Sequence, residues 1–292
     1  LSEHFHGTVV AAFGRSYLVE LDGGEVLACF PRGKRSEIAC GDRVMVDRTA
    51  RDQGVIEAVD PRSTLFYRSD AHRQKLVAAN VTQIVVVLAA APSWYEELLN
   101  RCLVAAEHAR VRAVIVLNKF DVPGSTAALE ALRLYERLGY PLLPLEAKRD
   151  VSPLRACLLG HTSVLVGQSG MGKSTIINGL LPQANAATSD VSAALDSGRH
   201  TTTHSRLYHL DGCSHIIDSP GMQEFGLHHL RPEDVDQAFV EFRPFLGRCR
   251  FANCRHLGEP DCAIAAACAH GTIDARRLDA YRKIVRSGPG RR

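Results

Sequence analysis

The stretch Gly167-Gln168-Ser169-Gly170-Met171-Gly172-Lys173-Ser174 fits G-x-x-x-x-G-K-[ST], and few local patterns restrict a fold so tightly. Such a loop requires a buried strand running into a glycine turn and a helix running out of it. Thr162–Val166 supplies a short apolar, β-branched run before it. After it, Ile176/Leu180 and Ile177/Leu181 recur at helical i,i+4 spacing. The glycines then let backbone N–H groups wrap a phosphate at the positive end of the new helix. Gly167, Gln168, Ser169, Gly170, Met171, Gly172, Lys173, Ser174 and Thr175 are the candidate phosphate-binding residues. Lys173 is expected to reach the β- and γ-phosphates, and the Ser174 hydroxyl to take a place on Mg²⁺.

The surroundings alternate strands and helices, the signature of an α/β fold with a mostly parallel sheet. Val81–Ala89 and Ala113–Leu117 read as buried strands, Pro141–Leu145 as a short one, and Tyr95–Arg110 and Ser125–Leu138 as amphipathic helices. The strand Ala113–Leu117 ends in Asn118-Lys119-Phe120-Asp121, which matches N-K-x-D. An ionised Asp121 accepts two hydrogen bonds, and guanine offers two adjacent donors, N1–H and the exocyclic amine. Adenine presents an acceptor there and would leave the carboxylate underpaired. The Lys119 stem can cover the base plane while its ammonium stays in water. A four-residue match is weak alone. At the carboxyl end of a strand, in a chain with a P-loop, it gains force, because ligands bind there in open α/β sheets.

Past the P-loop, Ala184–Ser205 is polar and aperiodic and holds Thr201-Thr202-Thr203 between His200 and His204. Long irregular segments in compact domains are usually functional or mobile. A threonine here suits a switch loop that closes over Mg²⁺ and the γ-phosphate. A hairpin, Arg206–Leu210 and Cys213–Ile217 around Asp211-Gly212, leads to Asp218-Ser219-Pro220-Gly221, a D-x-P-G element. Asp218 is expected to hold Mg²⁺ through water, and the Gly221 N–H to sense the γ-phosphate. In ordinary GTPases the P-loop precedes N-K-x-D. Here N-K-x-D comes first, so the GTPase elements are circularly permuted. Permutation keeps the site because its parts meet in space and termini can be moved to exposed loops. Where many GTPases carry a water-orienting Gln, this chain has Met222, whose thioether lacks a strong donor. Hydrolysis is therefore expected to be slow until ordering of the loop carries His200 or His204 to the γ-phosphate. Lys173, Thr202, His200 and His204 are the candidate catalytic residues.

The two ends of the chain differ from this middle. Five short strands, near Gly7–Phe13, Ser16–Leu21, Glu25–Phe30, Arg43–Arg48 and Gly54–Val59, suggest a small closed barrel of the OB type. Arg32, Lys34 and Arg35 follow Phe30, with Phe13 and Tyr17 near in sequence, a combination that suits nucleic acid. The first 68 residues also hold ten acidic residues against nine Lys and Arg, which weakens the electrostatic case. At the other end, Pro232 opens a helix with Val235, Phe239 and Phe242 on one face. Cys249, Cys254, His256 and Cys262 follow as C-x4-C-x-H-x5-C, three thiolates and an imidazole suited to a closed tetrahedral Zn²⁺ site. Cys268 reads as a core residue on the helix Ala263–Ala269. A last helix, about Asp274–Arg286, turns Leu278, Tyr281 and Val285 inward. Residues 271–292 carry seven Arg or Lys against two Asp, which suits a phosphate backbone.

The expected domains are 1–68 (OB-type, RNA-binding), 69–230 (permuted GTPase) and 231–292 (a mostly helical zinc-binding module). A length of 292 residues accommodates all three. No apolar run approaches a membrane span; the longest, around Ile84 to Ala91, is strand-sized. No export signal precedes the first strand, and the start at Leu1 leaves room for an upstream segment. Nine cysteines without an export signal argue against a disulfide scaffold. Net charge is only +3, so partners must be inferred from local charge.

A small barrel, a permuted GTPase and a C-x4-C-x-H-x5-C module together resemble the bacterial RsgA (YjeQ) family, ribosome small-subunit-dependent GTPases acting late in small-subunit maturation. The resemblance covers nearly the whole chain. It implies binding of GTP and GDP, GTP hydrolysis coupled to release, Mg²⁺, one structural Zn²⁺, a cytoplasmic location and contact with small-subunit rRNA. A monomer with no membrane partner is expected. The family's Mg²⁺ residues fall on Ser174, Asp218 and one of Thr201–Thr203, here Thr202, and its zinc ligands on Cys249, Cys254, His256 and Cys262. Glu146-Ala147-Lys148 occupies the place of the family's S-A-K base-binding loop, with Glu for Ser. The Ala147 N–H is expected to reach guanine O6, and Lys148 to flank the base. Two other readings compete. One is an RNA-binding protein with a vestigial nucleotide site, which loss of Lys173 or Asp218 would have marked; both are present. The other is a GTP-regulated protein acting on another RNA or the large subunit.

Asp121→Asn is expected to weaken GTP binding about 10- to 100-fold, the scale of a lost charged hydrogen bond. It should also shift preference toward xanthine, whose extra carbonyl needs a donor. Equal calorimetric affinities of the unmodified protein for ATP and GTP would rule the guanine assignment out.

Overall fold

The computed structural model describes residues 4–33, 37–69, 74–181, 205–219, 227 and 229–287. The barrel consists of β1 (His4–Phe13), β2 (Ser16–Leu21), β3 (Val26–Pro31), β4 (Arg43–Arg48) and β5 (Gln53–Val59). Along β2 every second residue is buried, so one face fills the barrel and the other meets solvent. The strands close in the order β1-β2-β3-β5-β4-β1, with β3 and β5 parallel. The barrel interior is packed by Val9, Val19, Leu27, Val44, Val46 and Ile56. Tyr17 belongs to this core as well, only 2% exposed, with its hydroxyl donating to the Gly14 carbonyl at 3.0 Å. This corrects the expectation of a surface aromatic at that place. Phe30 is instead 52% exposed.

The hairpin β6 (Leu65–Ser69) and β7 (Gln74–Ala79) follows, crossing residue 68, and was not legible in the sequence. Its end is tied back to the barrel. Asn80, in the left-handed region at φ 56°, donates through its side chain to the Gly41 carbonyl at 2.9 Å and accepts from the Ser63 N–H at 2.9 Å. A Cβ on Gly41 would lie 2.3 Å from the Ala79 carbonyl oxygen, so only glycine lets hairpin and barrel approach this closely.

The central sheet contains β8 (Gln83–Ala89), β9 (Arg112–Asn118), β10 (Leu142–Pro144), β11 (Thr162–Val166), β12 (Ser205–His209) and β13 (His215–Asp218). The order β10-β9-β8-β11-β13 is parallel throughout, and β12 runs antiparallel on β13. Every residue of β8 is buried, as a strand covered on both faces requires. Ile84, Val86 and Leu88 meet α1 (Glu96–Ala109) and α2 (Ser125–Arg137). Val85 and Val87 meet α3 (Ser152–Leu158) and α4 (Lys173–Leu180). The helix α3 was also not anticipated: seven residues give too little periodicity to read.

Barrel and parallel sheet are joined edge to edge. The first half of β1 pairs with β4 through His4–Thr8, and its far end pairs with β12 through Ala11↔Arg206 and Ala12↔Ser205. An irregularity between Val9 and Ala11 in the β1–β2 register separates the two uses of the strand. Eleven strands among the described residues thus form one hydrogen-bonded sheet.

The C-terminal part comprises α5 (Pro232–Ala238), a 3-10 turn (Val240–Phe245), α6 (Ala263–Ala269) and α7 (Ala275–Ser287). Phe239, Phe242, Ile264, Tyr281 and Ile284 share a continuous core with α1 and α2. Arg277 on α7 is 1% exposed, which corrects its expected place among the surface cations of residues 271–292. Its guanidinium donates to both Glu241 oxygens at 2.5 and 3.2 Å, donates to Asn100 Oδ1 on α1, and lies 4.3 Å from the Phe239 ring centre. The nine cysteines are all free thiols. No helix among the described residues is long and apolar enough to cross a membrane.

Arg277→Leu leaves Glu241 buried without its cation and is expected to destabilise the chain by about 3–5 kcal/mol. Arg277→Leu combined with Glu241→Leu should recover most of that loss. Urea unfolding of the three proteins distinguishes the cases; equal midpoints for Arg277→Leu and the parent would show that the pair contributes nothing.

Candidate nucleotide site and metal centre

The loop between β11 and α4 begins where Gly167 passes β8; a Cβ there would lie 2.3 Å from the Val87 carbonyl oxygen. It ends at Gly172, the residue before α4, at φ 90°. A Cβ on Gly172 would meet Asn118 Nδ2 at 2.4 Å, so the loop closes on N-K-x-D only because that position is glycine. Met171 is fully buried between them. The Gln168 side chain accepts from the Tyr95 N–H at 2.7 Å, anchoring the loop's outer side to the start of α1. Ser169 and Gly170 are exposed, as is Ser174 in the first turn of α4. Lys173 Nζ donates to the carbonyls of Gly167 and Gln168 at 2.6 and 2.9 Å, so the ammonium lies across the loop that a phosphate would enter. Burial lowers the Lys173 pKa, and the Asp218 carboxylate opposes that shift. Burial raises the pKa of Asp218, and Lys173 opposes it in turn. Register places Asp218 opposite Leu165, beside the strand that feeds the loop.

Asn118 is 2% exposed and connects three segments. It ends β9 opposite Ala89 of β8. Its Nδ2 donates to the Met171 carbonyl at 2.9 Å, and its Oδ1 accepts from the Ala147 N–H at 3.2 Å. The Ala147 N–H, expected to meet guanine O6, thus donates here to the Asn118 side chain. Lys119, at φ 56°, donates to the Ala91 carbonyl at 3.1 Å, and the Phe120 N–H donates to the Leu145 carbonyl at 3.1 Å. Asn118, Lys119, Asp121, Ala147, Lys148, Gly172 and Thr175 line a cavity of about 180 Å³ with Val122. Residues of N-K-x-D, of the 146–148 loop and of the P-loop end, distant in sequence, therefore border one hollow. The Asp121 carboxylate and the Lys119 and Lys148 side chains are among the groups that border it.

The cysteine cluster is equally defined. One donor atom from each of Cys249, Cys254, His256 and Cys262 lies within 4.8 Å of all the others. His256 Nδ1 stands 3.6, 3.5 and 3.3 Å from the sulfurs of Cys249, Cys254 and Cys262. Tetrahedral Zn²⁺ with bonds of about 2.3 Å to sulfur and about 2.0 Å to nitrogen would set S···N near 3.5 Å. The donor set fits zinc, with Nδ1 as the His256 ligand atom. Two backbone N–H groups, of Ala263 and Ala265, already point at the Cys249 and Cys262 sulfurs at 3.4 and 3.5 Å. Burial and the neighbouring sulfurs push the Cys254 thiol up to about 12, a shift that a bound cation reverses. Behind the cluster, His256 Nε2 lies 3.9 Å from Asp236, which accepts from the Tyr281 hydroxyl at 2.6 Å. Asp236 places a carboxylate behind the imidazole and Tyr281 holds that carboxylate, and nothing in local spacing announces them.

A family model described as RsgA GTPase matches residues 59–228, more than half of the chain. The chain belongs to the RsgA GTPase family. One relative, named small ribosomal subunit biogenesis GTPase RsgA, from Nitrosospira multiformis, is 55% identical over 287 residues, covering 98% of this chain and 92% of that one. Among solved structures, YjeQ from Thermotoga maritima superposes with a TM-score of 0.74 at 28% identity, covering 98% of both chains. YloQ, described as a circularly permuted GTPase, superposes with a TM-score of 0.68 at 24% identity over 98% of this chain and 95% of that one, a likeness of fold.

This RsgA-family chain is thus a GTPase of permuted order with an N-terminal five-stranded barrel and a helical C-terminal region. GTPase activity implies a guanine nucleotide and Mg²⁺. Among the predicted site residues, His200, Thr202, His204, Gly221 and Met222 lie outside the described residues.

Purified chain is expected to hold about one zinc ion, and Cys254→Ser to lose it. Hydrogen exchange should then rise across residues 249–268 far more than in β8 and β9, because metal binding is part of that segment's folding free energy. Since three thiols must ionise, zinc retention should fall as pH falls. Metal analysis finding no stoichiometric zinc in chelator-free preparations would sink the assignment.

Proposed function

We propose that this chain hydrolyses GTP as a switch in the biogenesis of the small ribosomal subunit, binding that subunit and its rRNA. The observation that carries the nucleotide half is Asn118, whose carboxamide holds N-K-x-D, the P-loop and the Glu146-Ala147-Lys148 loop around one cavity. The subunit half is supported by the relatives' name.

The roles follow from chemistry. Asp121 accepts from guanine N1–H and the exocyclic amine, and Lys119 covers the base. The P-loop N–H groups from Gly167 to Thr175 cradle the phosphates, and Lys173 leaves its own loop carbonyls for the β- and γ-phosphates. Ser174, Thr202 and Asp218 hold Mg²⁺, which neutralises charge on the phosphate oxygens when bound. Gly221 senses the γ-phosphate through its N–H. The barrel (1–68) and the zinc-binding module (231–292) flank the GTPase (69–230) and make the RNA contacts. The protein acts as a monomer in the cytoplasm.

Uniform binding of ground and transition states does not accelerate chemistry. With Met222 in place of a water-orienting Gln, turnover should be slow until subunit docking orders the 184–205 loop and delivers His200 or His204. Turnover at saturating GTP is expected to rise at least tenfold with purified small subunits and to stay unchanged with large subunits. A high intrinsic rate that small subunits leave unaltered would refute this reading. Stimulation by large subunits alone would move the partner. Stimulation that survives His200→Ala with His204→Ala would remove the histidines and leave the subunit dependence standing.

A further inference from the structure

The loop between the first two candidate zinc ligands presents an aromatic ring to water. Phe251 lies between Cys249 and Cys254 and is 42% exposed. The loop that carries it is built, not slack. The Cys254 N–H donates to the Phe251 carbonyl at 3.1 Å. Glu259 accepts from the N–H groups of Arg255, Leu257 and Gly258 at 2.9, 2.7 and 3.1 Å, which closes the following turn. The Arg250 guanidinium stands 5.5 Å from the Phe251 ring centre and donates to Asp261 at 2.8 Å. One face of the ring therefore carries a stacked cation while the residue stays exposed.

Charge around the ring is of one kind where it is free to act. Arg248 and Arg255 flank this loop on either side, and Arg282 is held to the turn after it through a bond from Nε to the His256 carbonyl at 3.1 Å. The loop's two carboxylates are committed, Glu259 to backbone N–H groups and Asp261 to Arg250. An exposed apolar ring flanked by arginines offers a stacking face beside cationic charge. It is well suited to an unpaired base, whose face stacks on the ring while its phosphates meet the guanidinium groups.

We propose that Phe251 is a stacking platform for an unpaired RNA base, with Arg248 and Arg255 contacting the adjacent phosphates. This rests on the small-subunit reading for its biological partner, and its direct test does not. Phe251→Trp places a fluorophore at the platform. In the full zinc-loaded chain, with the parent's Trp94 signal subtracted, a single-stranded twelve-nucleotide oligoribonucleotide should quench it. Heparin, which offers the charge and no bases, should not. Phe251→Ala should weaken oligonucleotide and small-subunit binding about 5- to 100-fold, the range for loss of one base stack. Phe251→Tyr should restore it, and GTP turnover without subunits should stay at the parent's value in both.

Equal quenching by heparin and RNA, no quenching by RNA, or full affinity in Phe251→Ala would each overturn the proposal. So would loss of subunit binding in Phe251→Ala with no RNA quenching, since the ring would then sit on a protein. If the parent fails to bind small subunits while the oligonucleotide quenches Phe251→Trp, the platform stands and the small-subunit reading falls.

Discussion

The two hydrogen bonds of the Asn118 carboxamide hold together a site whose parts come from three stretches of chain. One reaches the Met171 carbonyl in the phosphate-binding loop, and the other accepts from Ala147 in the loop after β10. Both are made in a buried place, where an unmet donor or acceptor costs about 1–3 kcal/mol. Loss of either loop's position would therefore be felt by the other. The parallel register of β8, β9 and β11 makes the contact possible, because it brings the carboxyl ends of these strands to one edge. Gly172 completes it by leaving room for the Asn118 side chain. Circular permutation does not disturb this arrangement, since strand neighbours, not chain order, decide which loops meet.

Two further contacts set how the flanking parts join the GTPase. At one side the pairing of β1 with β12 continues the parallel sheet into the barrel. The strand β12 lies directly between the barrel and β13, which ends at Asp218, so any displacement of β13 reaches the barrel through a single strand. At the other side Arg277 ties α7 to the 3-10 turn and to α1. A buried ion pair is weak support for stability when both partners could be apolar, but it is selective about geometry once present. The cysteine cluster closes the same region from outside, with Asp236 and Tyr281 linking its imidazole to the shared core.

Much of this was legible in the sequence. The barrel strands, the sheet strands and the longer helices stand within a few residues of their expected places, because the barrel strands and helices carry a period of burial and the central strands a continuous apolar run. Tyr17 and Arg277 were misplaced for a common reason. An aromatic near basic residues and an arginine in a basic helix look like surface chemistry, and only the packing around them shows otherwise. The seven-residue α3 was missed because it is too short to display a helical period, and the β6–β7 hairpin because it lies across the boundary drawn at residue 68. The Ala147 N–H was aimed at a base, yet the nearer acceptor is a side chain 29 positions away in sequence.

By itself the sequence determined the chemistry available: a glycine loop with Lys173 and Ser174, a carboxylate at Asp121, a carboxylate at Asp218, and three thiols with an imidazole at metal-binding spacing. It also determined their permuted order, which needs no coordinates to read. These features are local, set by residue type within a dozen positions. Only the tertiary structure decided that Asn118 locks the loops, that barrel and sheet share an edge, that Arg277 is interior, and that Asp236 stands behind His256. Those contacts join residues from 20 to nearly 200 positions apart in sequence. Their energies depend on burial and on the fit of both partners, and neither quantity exists until the chain has folded around them.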